Sequence, residues 1–126
     1  MVDPGLFKAV VAIAPVTDLQ QLKDDRQYWT DHEVVSRFVG TGPHVRQGSP
    51  ARNADKIKAP VLLFQGTFDR NVTITHSRMM ARSLHAAKVP SELVTYDGLD
   101  HQIDDSNART DMLRKSDAFL RKAFGM

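Results

Sequence analysis

Three short apolar segments, separated by longer polar stretches, determine the architecture that the chain is expected to adopt. They are Phe7–Ala14, which Pro15 ends, then Val61–Gln65, and finally the more polar Glu92–Tyr96. Continuous apolar runs rich in β-branched residues are typical of strands covered on both faces in a parallel sheet. A helix is the competing interpretation of the first run, but its length and the proline favour a strand. The polar third strand is expected nearer a sheet edge.

The first connection, residues 17 to 60, carries weaker helical patterns. Thr17-Asp18 can cap a helix, and a second helical piece is predicted at Asp31–Phe38. Residues 40–50 are rich in glycine and proline and are predicted to be loop. Ala51–Lys58 is predicted to form a short helical turn before the second strand.

The later helical patterns are clearer. Thr73 or Thr75 can cap a helix that runs to about Lys88, and the last helix is predicted at Ser106–Phe124. The inward stripe predicted for the earlier helix is Met80, Leu84 and Ala87. The apolar face predicted for the last helix is Met112, Leu113, Ser116, Phe119, Leu120 and Ala123.

The alternation of strands and helices predicts an α/β fold with a parallel sheet and right-handed crossovers. We expect residues 1–126 to form a single domain. Ligands of such sheets bind beyond the carboxyl ends of the strands. The loops at 15–19, 66–73 and 97–105 all leave from those ends, so Asp69 and His101 are expected to meet there.

Composition narrows the function classes. The chain has 126 residues and a net charge of +2 with scattered basic residues, so no nucleic-acid partner is expected. It has no cysteine, which excludes disulfides and thiolate metal sites. No apolar run approaches the roughly 18 residues that span a bilayer, and the amino terminus does not resemble a signal peptide. We expect a soluble protein with no membrane partner, cytoplasmic or periplasmic, and the sequence does not choose between these compartments.

Asp69 and His101 are the candidate acid and base. A carboxylate just past a buried strand can accept the Nδ1–H of an imidazole and stabilise the imidazolium. The plainer interpretation of Asp69 is a turn aspartate that caps its own loop. His101 follows a glycine-containing turn, where a general base can be mobile yet oriented. The other histidines are expected to be ordinary solvated residues: His32, His44, His76 and His85.

An acidic cluster surrounds His101. Hard oxygen ligands of this kind could hold Ca²⁺ or Mg²⁺, but the spacing does not match the twelve-residue calcium loop. The plainer interpretation is that the acidic residues nearest the last helix cap it and complement its dipole. We therefore expect neither a metal nor another cofactor here. The cluster comprises Asp97, Asp100, Asp104 and Asp105.

No candidate nucleophile fits the chemistry that an acid–base pair implies. A serine hydrolase needs a serine on a sharp strand-to-helix turn of sequence Gly-x-Ser-x-Gly, and no such pentapeptide occurs in these residues. Ser49 follows a glycine but precedes Pro50 in a predicted loop, so it is a poor candidate. The remaining serines lie in predicted helices or at the start of an element.

Four segments occur in order with familiar spacing: Phe7–Asp18, Ser49-Pro50, Lys56–Val72 and Gly98–His101. Together they resemble the C-terminal part of the α/β-hydrolase catalytic domain of the prolyl oligopeptidase family, which includes dipeptidyl and acylaminoacyl peptidases. The resemblance covers nearly the whole chain. It implies a partial α/β-hydrolase fold of three parallel strands with flanking helices. It also implies that the nucleophile lies upstream.

The resemblance carries over to individual residues. Asp69 matches the triad acid and His101 the triad base of a Ser-Asp-His peptidase. The substrate would be a peptide. The resemblance also implies that this chain alone is inactive, because the nucleophile and the oxyanion donors would lie outside it.

Five more positions match substrate-binding positions of the family. Asn71 resembles the residue that hydrogen-bonds a substrate carbonyl in dipeptidyl-peptidase-like members. Val72 and Val16 resemble walls of the pocket for the residue before the scissile bond. Leu19 and Leu22 fall where several members place aromatic residues, so the shape of this pocket departs from theirs.

Two further interpretations remain open. The chain could be a freestanding α/β module that binds a partner, or part of a related esterase. The resemblance also implies that the strand near Val10–Ala14 pairs with the nucleophile strand in the family fold, a neighbour that it would lack here. An apolar edge with unpaired backbone groups invites pairing with another chain. We therefore expect a homo-oligomer built across this edge.

Overall fold

The computed structural model describes residues 3–126. Its strands are β1 Val10–Ile13, β2 Val61–Gly66 and β3 Ser91–Tyr96. Its helices are α1 Leu19–Asp25, α2 His32–Val39, α3 Pro43–Gln47, α4 Ile74–Ala86 and α5 Ser106–Phe124. Two 3₁₀ turns, Pro50–Arg52 and Ala54–Lys56, lead into β2.

The sheet confirms the predicted class. Its order is β1-β2-β3, and both pairs are parallel, with Val10 opposite Val61 and Leu63 opposite Leu93. Parallel neighbours need crossover connections, and helices supply both of them here. The fold is therefore a partial α/β fold, three parallel strands with flanking helices.

β2 is the centre of the molecule. Every residue from Val61 to Gly66 is buried, because strands flank it on both sides and helices cover its faces. Met80 and Leu84 of α4 belong to the core cluster that includes Val61 and Leu63, as the predicted stripe requires. A central strand that is buried and paired on both sides fixes the direction in which the loop after it leaves the sheet.

β1 is more exposed than predicted. Phe7 lies outside the strand and is 63% exposed, and Ile13, its last residue, is 51% exposed. The prediction of a strand covered on both faces was wrong for this segment. Among residues 3–126, β1 has a strand neighbour on one side only, and too little packs against it to bury its ends.

The connection before β2 also differs from the prediction. Residues 40–50 are not all loop, because α3 occupies Pro43–Gln47. Proline suits the first turn of a helix, where its missing N–H would have had no partner within the helix. The predicted turn at Ala51–Lys58 is present as the two 3₁₀ turns.

The last helix begins and ends as predicted. Asp105 caps it by accepting a hydrogen bond of 2.7 Å from the Ala108 amide. Leu113, however, is 69% exposed, so its assignment to the inward face was wrong. It lies at the border of the predicted apolar face, where most of its side chain stays uncovered by the described residues. No helix within residues 3–126 combines the length and apolar character needed to cross a membrane.

Candidate active site

Two loops meet at the carboxyl end of β2, and Gly66 makes this possible. A Cβ atom on Gly66 would lie 2.2 Å from the carbonyl oxygen of Leu99, so only glycine fits here. The Phe68 amide donates to the same oxygen at 2.9 Å. Thr67 Oγ1 accepts a bond of 2.8 Å from the Gly98 amide. These contacts join the loop after β2 to the loop after β3.

The joined loops bring Asp69 and His101 together. His101 Nδ1 lies 2.8 Å from Asp69 Oδ2, although the residues are 32 positions apart. The Asp69 side chain is fully buried, whereas that of His101 is 35% exposed. A carboxylate can only accept, so in the neutral ring this contact requires the proton on Nδ1 and leaves Nε2 with its lone pair. This leaves a basic nitrogen on a half-exposed ring.

Asp69 has a donor for each of its lone-pair directions. Its Oδ1 accepts bonds of 2.9 Å from the amides of Asn71 and Val72. Its Oδ2 accepts from His101 and, at 2.8 Å, from Gln65 Nε2. Hydrogen bonds to the ionised form stabilise a buried carboxylate. The local turn that the plainer interpretation of Asp69 proposed is therefore present alongside the contact to His101.

Gln65 is the residue of this site that sequence reasoning missed. Its side chain is fully buried at the end of β2 and bonds Asp69 Oδ2, the Val72 carbonyl at 3.1 Å and the Ser77 hydroxyl at 2.8 Å. The signal was visible in the sequence. A lone amide ends an otherwise apolar buried strand, and buried amides need partners.

The five positions expected to bind substrate lie in two groups. Asn71 is exposed and Val72 is 8% exposed, and both are placed beside Asp69 by their backbone amides. Val16, 36% exposed, lies on the loop after β1, and Leu19 and Leu22 are half-buried on α1. The contacts described here place the first group, and not the second, at the Asp69–His101 pair.

His76 is not the solvated residue that we expected. It is fully buried, and its Nδ1 accepts a bond of 3.2 Å from the Thr17 amide. Its Nε2 lies 3.4 Å from Asp25 Oδ2 without forming a hydrogen bond, and that oxygen accepts a bond of 2.7 Å from Thr73 Oγ1. Burial lowers the pKa of His76, although the Asp25 and Asp18 carboxylates oppose this. A neutral His76 thus ties the loop after β1 to α4.

Ser49 has a structural role. It is 1% exposed, and its hydroxyl accepts from the Leu19 amide at 2.8 Å and donates to the Val45 carbonyl at 2.5 Å. Both contacts hold α1 and α3 together. A hydroxyl fixed in this way, away from the Asp69–His101 pair, agrees with the poor geometry expected from its sequence position.

The acidic residues near His101 have separate partners. Asp97 bonds Thr67, Asp100 accepts from the Gln102 amide, Asp104 pairs with Arg109, and Asp105 caps α5. Within residues 3–126, no group of three or more histidine, aspartate or glutamate side chains is arranged to hold a metal ion. The cluster is therefore accounted for by loop and helix contacts.

A comparison with protein families assigns the chain to a family. The sequence profile of the prolyl oligopeptidase family matches residues 1–126, the whole chain. This chain belongs to the prolyl oligopeptidase family. Family membership assigns it to the S9 peptidases, in agreement with the resemblance noted in the sequence.

Solved structures support the fold. A puromycin-hydrolyzing peptidase of Mycobacterium tuberculosis is 27% identical with a TM-score of 0.84, over 95% of this chain and 19% of that one. Dipeptidyl peptidase 4 of Porphyromonas gingivalis is 24% identical with a TM-score of 0.79, over 94% of this chain and 16% of that one. A puromycin hydrolase is 18% identical with a TM-score of 0.87, over 97% of this chain and 19% of that one. The chain thus spans about a fifth of the length of the proteins that it matches.

Proposed function

We propose that this chain supplies the acid and the base of a serine peptidase that hydrolyses peptide bonds. The observation that carries the proposal is the hydrogen bond of 2.8 Å between His101 Nδ1 and a buried Asp69. It leaves Nε2 of a half-exposed imidazole free to act as a general base. Family membership supports the same chemistry.

In the proposed reaction, His101 Nε2 accepts the proton of a serine hydroxyl as that oxygen attacks the substrate carbonyl. The imidazolium then donates this proton to the leaving amine. Asp69 holds the ring in the Nδ1–H tautomer and stabilises its positive charge. The serine would come from a Gly-x-Ser-x-Gly turn outside these 126 residues, which contain no such sequence.

The proposed substrate contacts follow the family positions. Asn71, exposed next to Asp69, would donate to a substrate carbonyl through its side-chain amide. Val72 and Val16 would form the walls of an apolar pocket for the residue before the scissile bond. Leu19 and Leu22 would close this pocket with aliphatic groups at positions where, by the family resemblance, several members have aromatic rings.

The proposal includes inactivity of this chain by itself. A fluorophosphonate probe labels serines that an adjacent base activates, and we expect no covalent adduct on any serine of the chain. Ser49 is the informative control, because its hydroxyl is buried and already donates to the Val45 carbonyl. An adduct on a serine of this chain, detected by intact-mass and peptide mass spectrometry, would contradict this part of the proposal.

Catalysis can be tested in a chimera. Residues 3–126 would replace the matching segment of the Mycobacterium tuberculosis peptidase. The structural match to that peptidase includes 95% of this chain. We expect peptide-amide hydrolysis that Asp69→Asn and His101→Ala each reduce by about 10,000-fold. Thermal unfolding of each chimera serves as the folding control. A folded chimera that shows no turnover, or whose turnover survives His101→Ala, contradicts the proposal. A preference for esters over amides would favour the related esterase instead.

The exposed edge of β1 supports a second proposal, self-association. The amides of Val10 and Ala14 donate to carbonyls of the β2 side. Because strand amides alternate in direction, those of Val11 and Ile13 point to the other edge. We propose that two copies pair across this edge. Light scattering should give twice the monomer mass for the chain and the monomer mass for Ile13→Lys. A monomer in both at high concentration would contradict it.

A further inference from the structure

Both N–H groups and the carbonyl oxygen of the Gln65 carboxamide form hydrogen bonds around the candidate acid. The side chain is fully buried. Its Nε2 donates to Asp69 Oδ2 at 2.8 Å and to the Val72 carbonyl at 3.1 Å, while Oε1 accepts from Ser77 Oγ at 2.8 Å. Two donors of the NH₂ group therefore meet two acceptors, and the carbonyl meets a donor.

These partners allow one orientation of the amide. A flipped carboxamide would place Oε1 against the Asp69 carboxylate and the Val72 carbonyl, both of which can only accept. The two repulsive contacts would be buried, where unsatisfied polar atoms are costly. Ser77, on the first turns of α4, reinforces the observed orientation from the other end of the amide. Gln65 is thus a fixed donor.

The fixed donor acts on the oxygen that His101 uses. Asp69 Oδ2 accepts from both Gln65 Nε2 and His101 Nδ1, each at 2.8 Å. Oδ1 is held by the amides of Asn71 and Val72. The two backbone amides hold only Oδ1, so by themselves they would allow the carboxylate to rotate and Oδ2 to change position. The Gln65 bond removes that freedom and directs the remaining lone pair of Oδ2 towards His101.

We propose that Gln65 is a positioning residue that orients the Asp69 carboxylate towards His101, and that Ser77 holds Gln65 in place. This inference rests on the proposed function, since it assigns Gln65 a role only if the Asp69–His101 pair works as acid and base. Gln65 does not touch the substrate in this proposal. It acts on the His101 ring through the geometry of Asp69.

The test uses the tautomer of His101 in the 126-residue chain, observed by nitrogen-15 NMR at a pH where the ring is neutral. The Nδ1–H form requires an acceptor fixed at Nδ1, so its population reports on the orientation of the carboxylate. Variants are Gln65→Leu and the milder Ser77→Ala. Asp69→Asn provides the reference for a lost acceptor. The matched control is Ser49→Ala, because Ser49 is also a buried serine with two hydrogen bonds, but it does not contact Gln65 or Asp69.

We expect the chain to populate the Nδ1–H form, and Gln65→Leu to lower the ratio of Nδ1–H to Nε2–H by about tenfold, the loss of one hydrogen bond to a charged group. Ser77→Ala should lower it in the same direction by a smaller factor. Ser49→Ala should leave it unchanged even where it lowers the unfolding temperature as much as Ser77→Ala does.

The outcomes separate this inference from the proposed function. If Asp69→Asn changes the tautomer ratio but Gln65→Leu and Ser77→Ala do not, the positioning role is refuted and the acid–base pair stands. If Asp69→Asn itself leaves the ratio unchanged, the proposed pair fails. If Gln65→Leu does not fold, the comparison of Ser77→Ala with Ser49→Ala decides. Equal ratios of Nδ1–H to Nε2–H in these two variants would overturn the inference.

Discussion

Within residues 3–126, two histidine–aspartate pairs differ in a way that shows what a general base requires. The rim pair, His101 with Asp69, has an N–O distance of 2.8 Å, and 35% of the histidine side chain is exposed. The buried pair, His76 with Asp25, has a distance of 3.4 Å and a fully buried imidazole. The residue types are the same, but the surroundings are opposite.

The two imidazoles differ in whether a ring nitrogen remains free of protein contacts. In the buried pair, Nδ1 already accepts the Thr17 amide and Nε2 faces Asp25, so neither nitrogen is available to a substrate. In the rim pair, only Nδ1 is engaged. A histidine next to a carboxylate therefore becomes a candidate base only if its second nitrogen can reach solvent or substrate.

The largest expected effect separates the two pairs by activity. In the chimera with the Mycobacterium tuberculosis peptidase, His101→Ala should reduce kcat by about 10,000-fold, because the base is lost. His76→Ala should reduce it by less than about tenfold, since His76 only supports the loop after β1. The measurement is steady-state peptide-amide hydrolysis. Equal losses in the two variants would show that the comparison is wrong.

The next effect reverses the order and concerns stability. His76→Leu should lower the free energy of unfolding by about 3 kcal/mol, because the buried Thr17 amide loses its acceptor and Asp25 is left without the ring. The matched His101→Leu should cost less, about 1 kcal/mol, because the ring is half-exposed and the buried Asp69 carboxylate keeps its three other donors. Urea unfolding of the 126-residue chain measures both. A larger loss for His101→Leu would contradict the assignment of roles.

Only one of the two pairs was predicted from the sequence. The rim pair could be predicted because parallel strands send their loops to one edge, which brings Asp69 and His101 together without side-chain detail. The buried pair was missed, although His76 lies four positions before Met80 on the inward stripe predicted for α4, whereas the exposed His85 does not. The stripe does not show which partner a buried histidine finds. This pairing depends on how residues 17–25 fold back over α4, a tertiary contact.

The same division applies to the rest of the fold. Helices with a regular stripe and a cap, such as α5 from Ser106 to Phe124, were predicted with their bounds. The segment before β2 was predicted poorly, because α3 is a five-residue helix whose formation depends on its contacts rather than on periodicity. Gln65 was missed because one buried amide changes no pattern of hydrophobic positions.

A third expected effect is the disruption of the Asp69–His101 contact by a substitution at Gly66, which is neither residue of the pair. Gly66→Ala places a methyl group 2.2 Å from the Leu99 carbonyl, so the loop that carries His101 must move away. We expect a loss of about 2 kcal/mol in unfolding free energy and a longer His101–Asp69 distance, seen as exchange broadening of the Nδ1 proton. The control is Gly98→Ala in the same loop, where the positive φ of 72° makes alanine cost about 1 kcal/mol but no atom lies within 4 Å of the added Cβ, so no steric clash displaces His101. An Nδ1 proton signal in Gly66→Ala as sharp as that in Gly98→Ala would contradict this use of the glycine.

The smallest expected effect is a pH dependence that belongs to the buried pair. Burial lowers the pKa of His76 from its ordinary value of 6.5, with Asp25, Asp18 and Asp69 opposing. Below pH 6.5 the unfolded chain therefore binds a proton that the folded chain does not, and stability falls as the pH falls towards the lowered value. The slope cannot exceed about 1.4 kcal/mol per pH unit for one group.

Urea unfolding between about pH 7.5 and 5.5 measures this slope. This pH range lies above the ordinary pKa values of carboxyl groups, so they do not titrate in it. His76→Gln removes the titrating group and should flatten the curve relative to the unsubstituted chain. The other histidines are common to both proteins, so the difference between the curves isolates His76. Parallel curves would contradict the assignment of a neutral, buried imidazole.

The central claim, that Asp69 holds His101 ready to act as a base, is tested most directly by the nitrogen-15 spectrum of the neutral His101 ring. The account predicts that Nδ1 carries the proton in the unsubstituted chain and that Asp69→Asn moves the proton to Nε2. An Nε2–H ring in the unsubstituted chain, or a tautomer indifferent to Asp69→Asn, would contradict it.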